Sequence, residues 1–297
     1  MLRKIIAPIL AAMIWGTAFV AQSVVTDLVP PFAFNAARSI VAVFSLAIIL
    51  AISLKIRPTP AEEKATHSKK ALLLGGLCCG TSMAVATGLQ QMGLDGTDAG
   101  KAAFITALYI VLVPIGGLFV KRKASPLTAV SVAIAVAGMY YLCVSESFSI
   151  QGSDIYVILC ALCFAVQILC IDHFAPQTNS IALSLCQFAV MTVESLVISL
   201  LLEDASWSGI VQCLGPVLYV GIFSSGVAYT LQIIAQKGSD PTLVSLLLSL
   251  ESVFGAIAGA ILLHETMTGR EYAGCALMLV AVVLSQLPVG FFNRFKK

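Results

Sequence analysis

The sequence predicts an all-α integral membrane protein whose ten transmembrane helices form two inverted five-helix repeats. Three observations carry this reading. Hydrophobic residue types make up 59% of the 297 residues and charged types only 11%, whereas a soluble surface needs roughly a quarter charged residues. The apolar stretches are continuous and near the ~20 residues that cross a hydrocarbon core. The chain also matches itself at one fixed offset, with Phe164 following Phe19 by 145 residues. This composition excludes a soluble enzyme and a disordered chain. The net charge of +2 supplies no basic face for nucleic acid, and a transmembrane β-barrel would alternate apolar and polar residues along each strand.

The elements follow in order. Arg3 and Lys4 precede a first apolar run over 5–25, and the second occupies 31–54. The polar stretch Lys55–Lys70, with Pro58 and Pro60, is a loop before the third span at 71–92. The fourth, 98–120, ends at Lys121, Arg122 and Lys123, and the fifth is 125–144. The sixth to tenth spans are 153–172, 181–202, 214–236, 241–263 and 271–290. Short cytoplasmic loops collect Lys and Arg. With the N-terminus inside, fourteen of the 17 basic residues fall inside, Arg270 alone falls outside, and Arg38 and Lys101 lie within or at the edge of spans. A missed helix would spoil that ratio, so both termini are expected to be cytoplasmic in a multi-pass protein of the cytoplasmic (inner) membrane. Arg3-Lys4, an apolar run and then Phe19-Val20-Ala21-Gln22-Ser23 resemble a signal peptide. Cleavage would leave nine spans and invert every later loop against its charge, so this is read as an uncleaved first helix.

At the 145-residue offset Gln22 also meets Gln167, Asp27 meets Asp172 and Pro31 meets Pro176. Gly76 meets Gly221, Asp95 meets Asp240 and Thr97 meets Thr242, so four of the seven aspartates pair off. The expected repeats are 1–145 and 146–297. Five spans per half is an odd number, so the halves sit in opposite orientation. Such inverted repeats are common in secondary transporters, with substrate bound between the halves near the midplane, and they supply a route to alternating access. The nine cysteines read as small apolar packing residues.

The residues also resemble a family. Ala12-x-x-Trp15-Gly16-x-x-Phe19, then Pro31-x-x-Phe34-x-x-x-Arg38, look like the opening of EamA-type transporters of the drug/metabolite transporter (DMT) superfamily. Thr97-x-Ala99-Gly100-Lys101-Ala102-Ala103-Phe104-Ile105, running to Pro114, is similar to that family's fourth span. Ala228-Tyr229 through Asp240-Pro241-Thr242, and Glu251 to Glu265, are similar to its eighth and ninth. The resemblance covers essentially the whole chain. It implies a ten-helix bundle that exports or imports small metabolites without ATP hydrolysis, and it leaves amino acids, nucleosides, sugars and cationic drugs open as substrates. Where the family's ninth span carries a proline, Glu251-Ser252-Val253 offers none, so the sequence supplies no proline kink there.

A charge at the bilayer centre costs about 2.5–3.5 kcal/mol on insertion scales and needs a partner, water or a ligand. Arg38 lies roughly 10 Å into the second span at 1.5 Å per residue, with Asn35 on its face. It is either a fork for a substrate carboxylate or phosphate or a partner for Glu194 or Glu251. Lys101 either snorkels to headgroups or contacts substrate, with Tyr109 continuing its face. Glu251, near the midplane of the ninth span, is a proton-coupling or amine-binding candidate, since low dielectric disfavours a charged carboxylate. Its alternative is a protonated acid bonded to a neighbouring helix. Glu194, on a stripe with Ser184, Gln187 and Met191, is a second proton-coupling candidate or interhelical glue. Polar faces recur as Trp15-Phe19-Gln22, Gly80-Met83-Thr87-Gln90 and Ser225-Tyr229-Gln232-Gln236, and together suggest a shared wet cavity. The expected substrate-binding set is thus Trp15, Gln22, Asn35, Arg38, Lys101, Tyr109, Tyr229, Gln232 and Glu251.

No cofactor or metal is expected, because His67, His173 and His264 are scattered and no Gly-x-x-x-x-Gly-Lys-Ser/Thr motif occurs. An intramembrane enzyme would need deep histidines or aspartates, and a channel would favour oligomeric rings. The expected function is secondary transport of amino acids or related zwitterions by alternating access, as an exporter. The alternative within the superfamily is an organic-cation or multidrug exporter, with a channel behind it. The expected partners are a small-molecule substrate, the lipid bilayer and a coupling proton; a homodimer is compatible with the sequence but not demanded by it. The charge distribution predicts that a fluorescent protein fused after Lys297 fluoresces and that alkaline phosphatase fused there is inactive. The reverse pattern would place the C-terminus outside.

Overall fold

With no water in the hydrocarbon region, a spanning backbone must bond to itself, and the continuous apolar runs do so as α-helices. The computed structural model describes residues 2–25, 28–56, 67–97, 99–119, 125–144, 151–204, 207–262 and 266–287. Among these, nine helices are long and apolar enough to cross a membrane. The helices are α1 Leu2–Ser23, α2 Pro31–Ile56, α3 Lys69–Leu94, α4 Ala99–Ala107 and α5 Tyr109–Phe119. They continue as α6 Pro126–Cys143, α7 Gly152–Phe174, α8 Ser180–Leu202, α9 Trp207–Gln212 and α10 Leu214–Tyr219. A π-helix over Val220–Ala228 leads into α11 Tyr229–Gln236, followed by α12 Pro241–Leu248, α13 Glu251–Leu262 and α14 Gly269–Ser285. α14 has 17 residues, about 26 Å at 1.5 Å each, and supplies the tenth span. Ser68, Ser125, Asn179, Asp240 and Thr268 cap helix starts with side-chain oxygens, where the first N–H groups have no helical partner.

The packing follows a two-fold logic. The third span packs on the sixth and the first on the eighth; the third also packs on the seventh and the second on the eighth. The fourth packs on the sixth and the first on the ninth, while the second pairs with the seventh and the fifth with the tenth. Exchanging spans one to five with six to ten maps this set of contacts onto itself. Each apolar cluster among the described residues likewise draws on both halves, as where Ala42, Met83 and Ala84 meet Phe188, Met191 and Tyr229. The eighth and ninth spans are the most enclosed, at 61% and 67% buried, and the second is a lipid-facing wall at 17%. At one rim Arg270 lies 5.2 Å and 5.5 Å from the ring centroids of Tyr140 and Tyr141, tying the tenth span to the fifth.

Three spans depart from the continuous helices that the sequence suggests. The fourth breaks at Leu108, where Leu108 N–H bonds Ile105 C=O at 3.1 Å, the tighter i to i−3 pattern. The ninth breaks between Leu248 and Glu251 without a proline, through i−3 bonds from Leu250 to Leu247 and Ser252 to Ser249. Ser245 and Ser249 there bond back to the carbonyls of Thr242 and Leu246, and such back-bonding bends helices. The eighth loosens into the π-helix. Its Gly221 approaches the second span so closely that an added Cβ would lie 2.6 Å from Val41 Cβ and 2.8 Å from Arg38 O.

Glycine also sets the approach of the first span to the ninth, since a Cβ on Gly16 would lie 2.6 Å from Gly255 N and 2.8 Å from Glu251 O. Gly16→Val is expected to lower stability by about 1–3 kcal/mol, the usual cost of overpacking, measured as thermal unfolding in detergent. Gly215→Ala, where nothing lies within 4 Å, is the control. Equal melting of both variants would contradict this packing.

Candidate functional site

The first span carries Trp15, Phe19 and Gln22 on one face, and that face lines a cavity between the two halves. The second span adds Arg38, the third Thr87 and Gln90, and the sixth Phe164, Gln167 and Ile168. The broken spans contribute at their breaks: Thr106 and Tyr109 flank the fourth-span break, and Leu248 and Glu251 flank the ninth-span break. The eighth adds Ser224 from the π-helix, then Tyr229 and Gln232. The cavity volume is about 50 Å³. At about 10–15 Å³ per water this suits a few waters or a small solute in this conformation, not a bulky one.

Arg38 is 4% exposed. Its Nη1 donates to Gln22 Oε1 at 3.3 Å, its guanidinium lies 5.6 Å from the Phe34 ring centroid, and its Nε has no hydrogen-bond partner. Among the described residues no carboxylate pairs with it, neither Glu194 nor Glu251. Glu251, 6% exposed, accepts from the Tyr109 hydroxyl at 3.2 Å. This bond joins the two broken helices across the cavity. α5 and α13, of 11 and 12 residues, both begin at the cavity, so the positive ends of their dipoles face it. The site therefore combines an unneutralised cation and two positive helix ends with one carboxyl.

An aromatic wall closes one side. Trp15 and Tyr229 ring centroids are 4.7 Å apart, Phe188 meets Tyr229 edge-on at 5.5 Å, and Trp15 Nε1 donates to Ser224 O at 3.3 Å. An amide chain closes another. Gln232 Nε2 donates to Gln167 Oε1 at 3.2 Å and Gln167 Nε2 to Gln187 Oε1 at 3.5 Å, leaving Gln232 Oε1 without a partner.

Of the residues expected from sequence, Trp15, Gln22, Arg38, Tyr109, Tyr229, Gln232 and Glu251 come together here. Asn35 does not line the cavity; it is buried beside the second-span backbone with Nδ2 unpartnered. Glu194 also lies away from the cavity, accepting from Thr81 Oγ1 at 2.6 Å between the seventh and third spans. The Lys101 side chain lies outside the described residues. Phe164 and Gln167 join the site although the sequence singled them out only as repeat mates of Phe19 and Gln22. The same 145-residue offset relates Thr87, already on a polar face, to Gln232, and the missed Thr106 to Glu251, so applying the repeat in both directions would have found Phe164, Gln167 and Thr106. Ser224 and Leu248 had no such signal.

Comparison with known proteins agrees with this architecture. The EamA-like transporter family matches residues 2–144 and again 151–287. An uncharacterized transporter of Archaeoglobus fulgidus is 30% identical over 292 residues, covering 94% of this chain and 84% of the relative. A chloroplastic WAT1-related protein of Arabidopsis thaliana is 27% identical, covering 93% and 67%. A solved crystal structure, 17% identical, superposes with a TM-score of 0.79 over 99% of both chains, a likeness of fold.

Interhelical side-chain bonds in membranes couple by about 0.6–1.7 kcal/mol. A double-mutant cycle of Tyr109→Phe with Glu251→Gln, read by thermal unfolding, is expected to give a coupling in that range. Strictly additive effects would show that the bond contributes nothing.

Proposed function

This chain belongs to the EamA-like transporter family and is a multi-pass membrane transporter of the DMT superfamily; on that premise we propose that it moves small zwitterions, amino acids or close relatives, by alternating access. Net movement is outward across the cytoplasmic membrane, with both termini inside, and the two repeats, 1–145 and 146–297, exchange shapes around the central cavity. The observation that carries the reading is Arg38, buried at the cavity without an anionic partner among the described residues. A desolvated guanidinium binds a carboxylate through parallel N–H bonds, and the α5 and α13 N-termini add positive potential beside it. Glu251 takes the substrate ammonium, displacing or sharing the Tyr109 hydroxyl. Trp15 and Tyr229 bound the side chain, and the small free volume supports a compact substrate. Glu251, the carboxyl at the cavity, is the proposed proton-coupling group; Glu194, held by Thr81 outside the cavity, lacks that placement.

The aromatic pair beside Glu251 favours a second reading, an organic cation held through cation–π contacts, in which Arg38 only balances charge. Thermal unfolding of the detergent-purified protein against amino acids, nucleosides, sugars and organic cations separates the two. A ligand at a hundred times its Kd adds about 2.7 kcal/mol. An amino-acid subset is expected to raise Tm in the native protein and not in Arg38→Ala, with counterflow of the same compounds in vesicles. A response to cations alone, lost in Glu251→Gln and kept in Arg38→Ala, would replace the zwitterion reading with the second one.

A further inference from the structure

A second cavity stands at the end of the bundle that carries Asp95 and Glu203, opposite the end that carries Lys4, Lys55 and Lys237. Its volume is about 340 Å³, and it lies between the start of the second span, the end of the third and the start of the sixth. Val29, Pro31 and Met92 make its apolar sides, and Gln91, Asp95 and Tyr156 its polar ones.

The repeat shows that Asp95 is not used here as its mate is. Asp240 caps the ninth span, accepting from Thr242 N at 2.8 Å. At the same place in the first half no bond from Thr97 N–H to Asp95 occurs among the described residues, and the Thr97 hydroxyl lies 2.9 Å from Ser153 Oγ and 3.0 Å from Asp154 Oδ1. The neighbouring acids at this end are engaged as well: Glu203 accepts from the N–H groups of Phe32 and Ala33, and Asp154 from Gln151 N. The Asp95 carboxylate takes no hydrogen bond among the described residues and stands exposed at the cavity. Gln91, only 4% exposed, lines the same cavity with Nε2 unpartnered, an arrangement that costs free energy unless something meets it.

We propose that this cavity is a binding site for a primary ammonium group carried next to an oxygen acceptor. The ammonium meets the Asp95 carboxylate. The oxygen, a hydroxyl, carboxylate or phosphate, accepts from the Gln91 amide and the Tyr156 hydroxyl, while Met92, Val29 and Pro31 cover the intervening carbons. Two sources share this chemistry: a free amino alcohol or amino acid, and the headgroup of an ethanolamine phospholipid. Gln91 directly follows Gln90, which lines the central cavity, so the third span presents neighbouring residues to the two cavities. The site does not depend on which substrate the central cavity takes.

The full chain in detergent, titrated with ethanolamine, is expected to show a rise in Tm of about 2 °C or more at saturation. Choline, which has no N–H donor, is expected to give none. The ethanolamine response is expected to be lost in Asp95→Asn and kept in Arg38→Ala, which separates it from binding in the central cavity. Native mass spectrometry after reconstitution in ethanolamine-phospholipid or choline-phospholipid vesicles tests the other source. Ethanolamine phospholipid retained by the native chain and released by Asp95→Asn, without a response to free ethanolamine, would assign the site to lipid. If neither response depends on Asp95, or if the ethanolamine shift vanishes only in Arg38→Ala, the proposal is overturned. Should Asp95→Asn fail to fold, Tyr156→Phe is expected to weaken the same responses severalfold, and unchanged affinity would be the overturning result.

Discussion

Every feature of this protein depends on one constraint: in hydrocarbon, a backbone N–H or C=O without a partner is costly, so irregular backbone survives only inside protein or beside a wet cavity. The breaks at Leu108 and at Ser249–Leu250, and the π-helix over Val220–Ala228, all gather at the cavity between the halves. Each brings a polar group to the cavity. Tyr109 and Glu251 are the first residues of α5 and α13, and Ser224 offers its carbonyl to Trp15 from the π-helix. The same constraint keeps Arg38 at the interior, where Gln22 and Phe34 hold it without neutralising it.

The inverted repeat sets these groups between two related halves. Contacts between the halves map onto one another when the halves are exchanged, the symmetry on which the proposed alternating access rests. Departures from that symmetry fall at the candidate site. Glu251 stands where the first repeat has Thr106, Arg38 where the second has Leu183, and Tyr109 where the second has Phe254. A symmetric bundle would have no polarity of charge across its cavity; these exchanges supply one cation and one carboxyl. Asp95 and Asp240 also differ at the periphery: Asp240 accepts from Thr242 N, and Asp95 lines the second cavity.

Glycine holds the geometry together. Gly16 against Gly255 and Gly221 against Val41 bring backbones within reach of one another, and lipid provides no hydrophobic drive between helices to replace that contact. These approaches fix where the Glu251 and Arg38 backbones lie, so the charged groups are positioned by close packing rather than by long flexible loops.

Much of this was legible in the amino-acid sequence. Continuous apolar runs determined the spans, because hydrophobic length is a property of the chain alone. The 145-residue offset determined the duplication, and the odd number of spans per half determined its inversion. Buried charges had to be few and had to face inward, which singled out Arg38, Lys101, Glu194 and Glu251, and of these Arg38 and Glu251 line the cavity. What only the tertiary structure decided is which polar faces share one cavity. Asn35 and Glu194 sit on plausible helical stripes, yet rotation of each helix against its neighbours turns them elsewhere, Glu194 toward Thr81. The ninth-span break was equally invisible, since no proline marks it and the serine back-bonds that bend it depend on neighbouring helices to shelter the freed carbonyls. Helical periodicity states which residues lie together on one helix; the angle at which that face meets others is set by packing, which a single sequence does not contain.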